Sequence, residues 1–270
     1  MKISITGTTG FLGSKILKRL GKSKKNYILQ SINLRNINFS NHENLKKEIE
    51  SYLDSDFIIN CAASLNPKNQ NDFYLNEKIP LIFENLIKEK NSKTTLIHFS
   101  TINTIIKMRQ DRYSLSKIKG EKNLNKNFSV IIRLPFLIEK ENNVIKNSGN
   151  LMEFFKYLRI KYLPIYPMIS TGHIYQPVDI DKFLNFLEEI ILESKKNKVY
   201  NIVGKYKKTL WELFEEVATV ENKKTIKINL NFVNKILPNA LKESLSKRTG
   251  LLQQILAIDH SDFTEEKIIL

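Results

Sequence analysis

The feature that most constrains the fold is an alternation of apolar, β-branched segments with segments of helical periodicity. Five such apolar segments punctuate the first half of the chain: KISIT (2–6), YILQSIN (27–33), FIINCAA (57–63), TTLIHFS (94–100) and FSVIIRL (128–134). Strands joined through helices pair in parallel, and strands this apolar are covered on both faces. The pattern therefore predicts an α/β fold built on a doubly wound parallel sheet.

A glycine turn joins the first predicted strand to the first predicted helix. In ITGTTGFLG the glycines have a G-x-x-G-x-x-G spacing, one residue longer than the common dinucleotide fingerprint. Such a turn lets backbone amides approach a pyrophosphate at a helix N-terminus, where the helix dipole favours anions. A tight turn without a ligand is the alternative. The residues predicted to bind a dinucleotide at this turn are Gly7, Thr9, Gly10, Phe11, Leu12 and Gly13.

The second strand indicates which dinucleotide is preferred. Proteins that bind NAD carry an acidic residue about 20 residues after the glycines, for the ribose hydroxyls. The corresponding QSINLRN has no acidic residue, and Arg35 stands in it. A guanidinium can hold a 2′-phosphate, so NADP(H) is expected in preference to NAD. The alternative, that Arg35 is an ordinary surface residue with no part in cofactor binding, is equally well supported.

A Tyr-x-x-x-Lys pair occurs in DRYSLSK, at Tyr113 and Lys117. Residues four apart share a helix face, so the ammonium can lie near the phenol and favour its ionised form. The same spacing recurs at Tyr74/Lys78 and Tyr157/Lys161, so spacing alone decides nothing.

Composition limits the remaining possibilities. No run of 18 apolar residues and no secretory leader pattern is present, and the single Cys61 fits a reducing compartment, so a cytoplasmic protein is expected. The four histidines lack metal-ligand spacing, and no metal is expected. The net charge of +15 comes mostly from scattered lysines. Scattered lysines favour a solvated surface over a nucleic-acid site, although they would attract an anionic ligand.

The motifs together resemble those of the extended short-chain dehydrogenase/reductase family of nucleotide-sugar enzymes (NAD-dependent epimerase/dehydratase family), and within it those of dTDP-4-dehydrorhamnose reductases. The resemblance rests on TGTTGFLG, FIINCAAS, YLN, IHFST, YSLSK and IIRLP, and extends more loosely to DIDKFLNFL and VYNIVG. It implies a Rossmann fold with a smaller C-terminal substrate-binding lobe. The Tyr113/Lys117 pair alone occupies the family's catalytic slot, between the strand that ends in Ser/Thr and the strand that ends in an Arg or Pro motif.

The resemblance also assigns roles to residues. Thr101, Tyr113 and Lys117 would be catalytic, and the lysine would also hold the nicotinamide ribose. Asn103 and His173 are weaker candidates for substrate binding. Dehydratase relatives have Asp-Glu after the hydroxyl residue, but this chain has Ile102 and Asn103. Further cofactor contacts are expected from Cys61, Ala62, Ala63, Ser64, Leu134 and Pro135.

The implied function is reduction of a keto group on a nucleotide-activated sugar, in polysaccharide biosynthesis. An NAD-dependent epimerase and a non-catalytic, dinucleotide-sensing regulatory protein are the alternatives. The expected partner is a nucleotide-sugar substrate, and neither a membrane nor a nucleic acid is expected to bind. A homodimer is possible by resemblance, because many relatives pair through the tyrosine helix.

The predicted domain division follows the same resemblance. Residues 1–140 would form the NAD(P)-binding domain, with 173–204 returning to it, and 141–172 and 205–270 would form the substrate lobe. In the second half the sequence predicts a helix and a Pro-punctuated loop over 149–167. It also predicts an N-cap at Asp179 and a capping box of Thr209 with Glu212.

Overall fold

The structure is a computed structural model that describes residues 1–34, 39, 42–65, 67, 69–106, 111–122, 124, 127–141, 144–147, 165–170, 173–194, 196–220, 223–229, 260 and 265–270. It divides into two compact units. Unit 1 comprises 1–104, 112–133 and 184–201, and unit 2 comprises 105–111, 134–183 and 202–270.

Helices and strands alternate through unit 1, and short strands predominate in unit 2. The helices are α1 (Phe11–Gly21), α2 (His42–Glu50), α3 (Gln70–Glu77), α4 (Ile79–Glu89), α5 (Arg112–Lys122), α6 (Ile180–Leu192) and α7 (Leu210–Val220), with a 3₁₀ turn at Ile102–Thr104. The strands are β1 (Lys2–Thr6), β2 (Ile28–Ile32), β3 (Phe57–Asn60), β4 (Thr95–Thr101), β5 (Ser129–Leu134), β6 (Leu137–Glu141), β7 (Val144–Asn147), β8 (Ile165–Ser170), β9 (Ile174–Tyr175), β10 (Val178–Asp179), β11 (Lys198–Val203), β12 (Lys208–Thr209), β13 (Lys224–Asn229) and β14 (Ile268–Ile269).

The central sheet has seven strands in the order β14-β11-β5-β4-β3-β1-β2. β1 pairs in parallel with both β2 and β3, so the strand order reverses at β1. Because crossovers are right-handed, this reversal places α1 on one face and α2, α4 and α5 on the other. The predicted doubly wound parallel sheet is confirmed. In such sheets ligands bind beyond the carboxyl ends of the strands where the order reverses.

Apolar side chains of the strands and of α2 and α4 bury one face of this sheet within unit 1. The cluster comprises Ile32, Leu34, Leu45, Ile49, Ile58, Ala62, Ile79, Phe83, Leu86, Ile87, Leu96, Leu124 and Ile131. All of these side chains are less than a tenth exposed. Burial of this size holds the strand ends, and hence the site described below, on a rigid support.

Unit 2 contains small sheets. β6 pairs in parallel with β10 and antiparallel with β7, and β13 pairs in parallel with β8. The backbone amide of Asp181 donates to the side chain of Asp179, as expected for the predicted N-cap. Thr209 and Glu212 form the predicted capping box, in which the Glu212 amide donates to Thr209 Oγ1 (3.2 Å) and the Thr209 amide donates to the Glu212 carboxylate (2.6 Å).

Three local predictions are wrong. The strand predicted over 57–63 ends at Asn60. The segment YLNEKIPLIFENLIKEK (74–90), whose periodicity predicts one helix, forms two helices separated at Lys78. The second, α4, has Pro80 in its first turn, where a missing N–H is tolerated. The predicted Pro-punctuated loop includes the start of β8, which contains Pro167 and which, among the described strands, pairs only with β13. An edge strand tolerates proline because one side needs no N–H donor.

Candidate active site

The glycine turn lies where the strand order reverses, at the carboxyl end of β1. Gly7 has a φ of +66°, and a Cβ there would lie 2.8 Å from the amide nitrogen of Ala62. A Cβ on Gly13 would lie 2.3 Å from the carbonyl oxygen of Gly7. Both positions therefore require glycine, because any side chain would force the turn away from the residues after β3 or from its own helix.

The N-terminus of α1 is open to an anion. Gly10 is the N-cap, no side chain caps the helix there, and its first turn holds no acidic residue. Thr9 and Gly10 are exposed, and Phe11 and Leu12 are partly exposed. The unpaired N–H groups of a first helical turn and the helix dipole bind phosphate. This turn therefore fits the pyrophosphate of a dinucleotide.

The segment after β3, Cys61 to Ser64, runs beside the glycine turn. The amide of Ala62 donates to Thr6 Oγ1 (3.0 Å), and the amide of Ser64 donates to Asn76 Oδ1 (2.9 Å). Cys61 lies just beyond the strand, where burial raises the pKa of its thiol. The thiol is therefore uncharged at neutral pH, and it adds no charge to the wall of a dinucleotide site.

Lys117 lies inside unit 1 although it carries an amine. Its side chain is on α5, only 2% of the residue is exposed, and Nζ donates to the carbonyl oxygen of Phe99 (2.9 Å). Burial lowers the pKa of Lys117 to about 8, although the charge of Glu121 opposes that shift. A lysine at this value is mostly charged at pH 7 and can still exchange a proton near neutral pH.

Thr101 and Tyr113 lie on the elements that surround this lysine. Phe99, the partner of Lys117, is two residues before Thr101 on β4, and α5 contacts both β4 and the 3₁₀ turn. Thr101 is 6% exposed, and its Oγ1 accepts from the amide of Asn103 (3.3 Å). Tyr113 is partly exposed in the first turn of α5. Thr101, Tyr113, Lys117 and Asn103 thus belong to one local region.

The competing Tyr-x-x-x-Lys pairs differ in their surroundings. The Tyr74 ring stacks on Phe39, with centroids 5.2 Å apart, and burial raises the pKa of its phenol. That environment disfavours ionisation. Tyr157 and Lys161 lie outside the described residues.

A line of buried polar groups beneath the site was not predicted. Thr6 Oγ1 donates to Asn60 Oδ1 (2.7 Å), and Asn60 Nδ2 contacts His98 Nδ1 (3.2 Å). Burial, together with the charge of Lys117, lowers the pKa of His98 well below its usual value, so the ring is neutral at pH 7. A sequence signal exists for this line, since its polar residues interrupt otherwise apolar strands.

The remaining predicted residues belong to unit 2 or lie outside the described residues, and Arg133 of the neighbouring IIRLP motif belongs to unit 1. Arg133, from the IIRLP motif, forms an ion pair with Glu121 (2.7 Å). Leu134, Pro135 and His173 belong to unit 2, where Leu134 is buried and the other two are partly exposed. Arg35 lies outside the described residues, so its role stays a prediction.

Metal clusters and membrane spans are both absent from the described part of the chain. Within it, no three or more His, Cys, Asp or Glu side chains are grouped so as to hold a metal ion. No described helix has the length and apolar character needed to cross a membrane.

Part of the chain matches a known protein family. Residues 3–121 match the sequence model of the NAD dependent epimerase/dehydratase family. That range includes the glycine turn, Thr101, Tyr113 and Lys117, and it confirms the resemblance inferred from the motifs. No curated protein sequence matches the chain.

Solved structures share the fold at low sequence identity. A dTDP-4-dehydrorhamnose reductase from Bacillus anthracis in complex with NADP is 15% identical, with a TM-score of 0.65 over 85% of this chain and 83% of that one. One from Clostridium acetobutylicum is 18% identical, with a TM-score of 0.65 over 94% and 100%. A UDP-glucose 4-epimerase from Thermotoga maritima, with UDP-glucose, is 16% identical, with a TM-score of 0.61 over 85% and 86%. At these identities the likeness establishes the α/β fold.

Proposed function

We infer that this chain, which matches the epimerase/dehydratase family over residues 3–121, is an NAD(P)-dependent oxidoreductase of the extended short-chain dehydrogenase/reductase type. We propose that it reduces a keto group on a nucleotide-activated sugar, with NADP(H) as the preferred cofactor. The similar structures of a reductase with NADP and of an epimerase with UDP-glucose support this class of cofactor and substrate.

The observation that carries the proposal is the buried amine of Lys117, four residues after Tyr113. Burying a lysine in the wall of an α/β sheet is costly, and strongly perturbed amines cluster at functional sites. Here the amine follows a tyrosine on α5 and binds the strand that ends in Thr101. A merely structural role would be filled at less cost by an apolar side chain of the same length.

The glycine turn supplies the other half of the site. Gly7 and Gly13 leave room that a Cβ would fill, and the uncapped first turn of α1 would hold the pyrophosphate. Ala62, Ala63 and Ser64 would line the neighbouring wall, and Lys117 would contact the nicotinamide ribose. The bound nicotinamide would supply a hydride to the carbonyl carbon.

Side chains on α5 and β4 would supply the proton to the substrate. The phenol of Tyr113 would donate its proton to the carbonyl oxygen, while the hydroxyl of Thr101 hydrogen-bonds the same oxygen. The positive charge of Lys117 favours the phenolate that remains, since opposite charges stabilise each other in a poorly solvated site. Solvent then reprotonates Tyr113. These steps need no acid/base pair at Ile102 and Asn103, which fits a reductase rather than a dehydratase.

Specificity would come from residues beyond this catalytic group. Arg35 would bind the 2′-phosphate of NADP(H), and Asn103 and His173 would contact the substrate. Leu134 and Pro135 would add cofactor contacts, and 141–172 with 205–270 would form the substrate lobe. An Arg35→Ala variant should raise the KM for NADPH while leaving that for NADH within about twofold, because only the 2′-phosphate contact is removed.

The decisive experiment is a screen of nucleotide-ketosugars with NADPH and with NADH, followed by the absorbance of the reduced nicotinamide. A reductase consumes one reduced cofactor for each product formed. Tyr113→Phe keeps the ring and removes the proton donor, so activity should fall by about 10²-fold or more. The matched control is Tyr74→Phe, which alters the tyrosine of a competing pair. Full activity in Tyr113→Phe would overturn the catalytic assignment.

A different pattern would identify the epimerase alternative. An epimerase would purify with tightly bound cofactor and interconvert sugars without net change in nicotinamide absorbance. Binding of NADPH with no turnover of any ketosugar or sugar nucleotide would favour the regulatory alternative.

A further inference from the structure

The amino ends of the central strands form the edge of unit 1 opposite the glycine turn. β1 pairs in parallel with β2 and β3, β3 with β4, and β5 with β11. Parallel strands begin at the same edge of a sheet, so the turns that lead into them lie side by side. Lys196, before β11, shows this contact, because its Nζ donates to the carbonyl oxygen of Lys93, before β4 (3.3 Å). We call this edge, formed by residues 22–28, 54–56, 93, 192–194 and 196–198, the amino-end face.

Exposed lysines gather on the amino-end face. They come from the turn after α1, from the turn before β4 and from the start of β11, and they are Lys22, Lys24, Lys25, Lys93, Lys196 and Lys198. In the part of the chain that the structure describes, none of the six has an ion-pair partner. Uncompensated charges of one sign on one face create a positive potential that attracts anionic partners.

Few carboxylates oppose this potential. Residues 1–42 contain eight Lys or Arg and no Asp or Glu. Of the acidic residues on the amino-end face, Asp54 pairs with Lys2, and Asp56 accepts from the backbone amide of Lys2 (2.7 Å). Glu193 is also exposed there. The six lysines therefore outnumber the acidic residues beside them.

Two large apolar side chains are exposed among these lysines. Ile28, the first residue of β2, is 62% exposed, and Leu192, the last residue of α6, is 45% exposed. The turn after α1 contacts α6, because Ser23 Oγ donates to the Glu188 carboxylate (2.5 Å), one helical turn before Leu192. A basic surface that also exposes aliphatic side chains is typical of proteins that bind at the boundary between lipid headgroups and acyl chains.

We propose that the amino-end face binds the surface of an anionic lipid bilayer, with its lysines against the headgroup phosphates and with Ile28 and Leu192 among the upper acyl chains. The sequence favoured a solvated surface because these lysines are scattered along the chain, and the fold brings them together. Lysine rather than arginine, on an edge that exposes aliphatic groups, favours a lipid surface over a nucleic acid. The inference goes beyond the proposed function and does not depend on it.

The glycine turn stays accessible in this arrangement. It lies at the carboxyl end of β1, whereas the amino-end face lies at the amino ends of the same strands. The binding should be weak and reversible, because a basic patch with two aliphatic side chains holds a protein far less firmly than a spanning helix.

The test is sedimentation of the protein with vesicles, without cofactor or substrate. Wild type should sediment with vesicles of phosphatidylcholine mixed with phosphatidylglycerol and stay in solution with phosphatidylcholine alone. Raising the salt concentration from about 0.1 M to about 0.5 M should release it, because salt screens the attraction. Wild type that fails to sediment with the mixed vesicles at low salt would overturn the proposal.

A triple variant assigns the binding to this face. Lys22→Gln, Lys24→Gln and Lys25→Gln together should weaken vesicle binding about tenfold or more, because each lysine near an anionic surface adds to the attraction. The midpoint of urea unfolding should stay unchanged, since these side chains are exposed and without ion pairs among the described residues.

The matched control removes the same charge from exposed lysines of unit 2. It carries Lys182→Gln, Lys205→Gln and Lys207→Gln. Its vesicle affinity should stay within about twofold of wild type, because only charges close to the lipid surface contribute. Equal losses in the two triple variants would show that net charge alone causes the binding, and would overturn the assignment to the amino-end face.

Ile28→Ser separates a lipid surface from other anionic partners. It leaves the charge unchanged and should weaken vesicle binding about fivefold, because it removes an aliphatic side chain from the acyl region. Unchanged binding would overturn the insertion of Ile28. Tighter binding to a short RNA than to the mixed vesicles, lost in the Lys22, Lys24 and Lys25 variant, would assign the face to nucleic acid and overturn the lipid proposal.

Discussion

Replacing Lys117 by methionine tests the central electrostatic claim. Burial lowers the pKa of Lys117 from 10.5 to about 8, and a shift of one unit corresponds to about 1.4 kcal/mol. Because the folded pKa is below the unfolded one, the unfolded state binds more protons between these values. The charged amine therefore costs the fold about 3 kcal/mol at pH 7. This penalty is fully present below pH 8 and is relieved as pH rises towards 10.5.

The assay is urea unfolding of wild type and Lys117→Met at pH 7 and at pH 10, without cofactor. Methionine leaves the Phe99 carbonyl without its donor at both pH values, so that loss cancels in the comparison. The stability of the wild type relative to the variant should rise by about 2.5 kcal/mol between pH 7 and pH 10. A difference that stays constant within about 0.5 kcal/mol would refute a depressed pKa for this amine.

The remaining predictions concern other parts of the chain. Gly13→Ala should abolish NADPH binding and destabilise unit 1 by about 2 kcal/mol or more, whereas Gly21→Ala, whose Cβ would meet nothing closer than 3.8 Å, should bind normally. Thr209→Ala should lower stability by about 1 kcal/mol through loss of the capping box, with NADPH affinity unchanged. Arg133→Met should lower the free energy of unfolding measured in urea by about 3 kcal/mol, because it leaves the buried Glu121 carboxylate without its cation. The double variant Arg133→Met with Glu121→Leu should recover most of that free energy, because the carboxylate is removed as well.

The order of strands and helices in unit 1 was predictable because burial on both faces leaves a strong periodic signal. β1 and β5 lie within one residue of their predicted limits. The two-residue strands β12 and β14 of unit 2 leave no such signal. Their partners are distant in sequence, and β8 pairs with β13 across more than fifty residues. Local propensity cannot encode such a pairing.

The catalytic group stays a prediction, and that prediction rested on a different signal. Tyr113 and Lys117 follow a pattern tied to the order of strands, so a resemblance could choose them from three equivalent spacings. The partners of that group were not predictable. Asn76 and Ser116 meet only after α3 and α5 pack together, and forty residues separate them in the chain. Arg133 of the IIRLP motif was open to two interpretations, a cofactor contact or a structural ion pair, and its side chain pairs with Glu121.

The buried titratable groups near Lys117 are neutral chiefly because of their burial. The charge of Lys117 affects the pKa of both His98 and Cys61. Burial keeps the imidazole unprotonated and the thiol protonated. If His98 were charged as well, two cations would share one poorly solvated region, and Lys117 would lose its proton at still lower pH. The charge that favours the Tyr113 phenolate would then be lost. Burial and the charge of Lys117 prevent this by lowering the pKa of His98, and Nδ2 of Asn60 lies 3.2 Å from Nδ1 of the neutral ring. The uncharged polar line from Thr6 to His98 thus maintains the single positive charge on which the proposed chemistry depends.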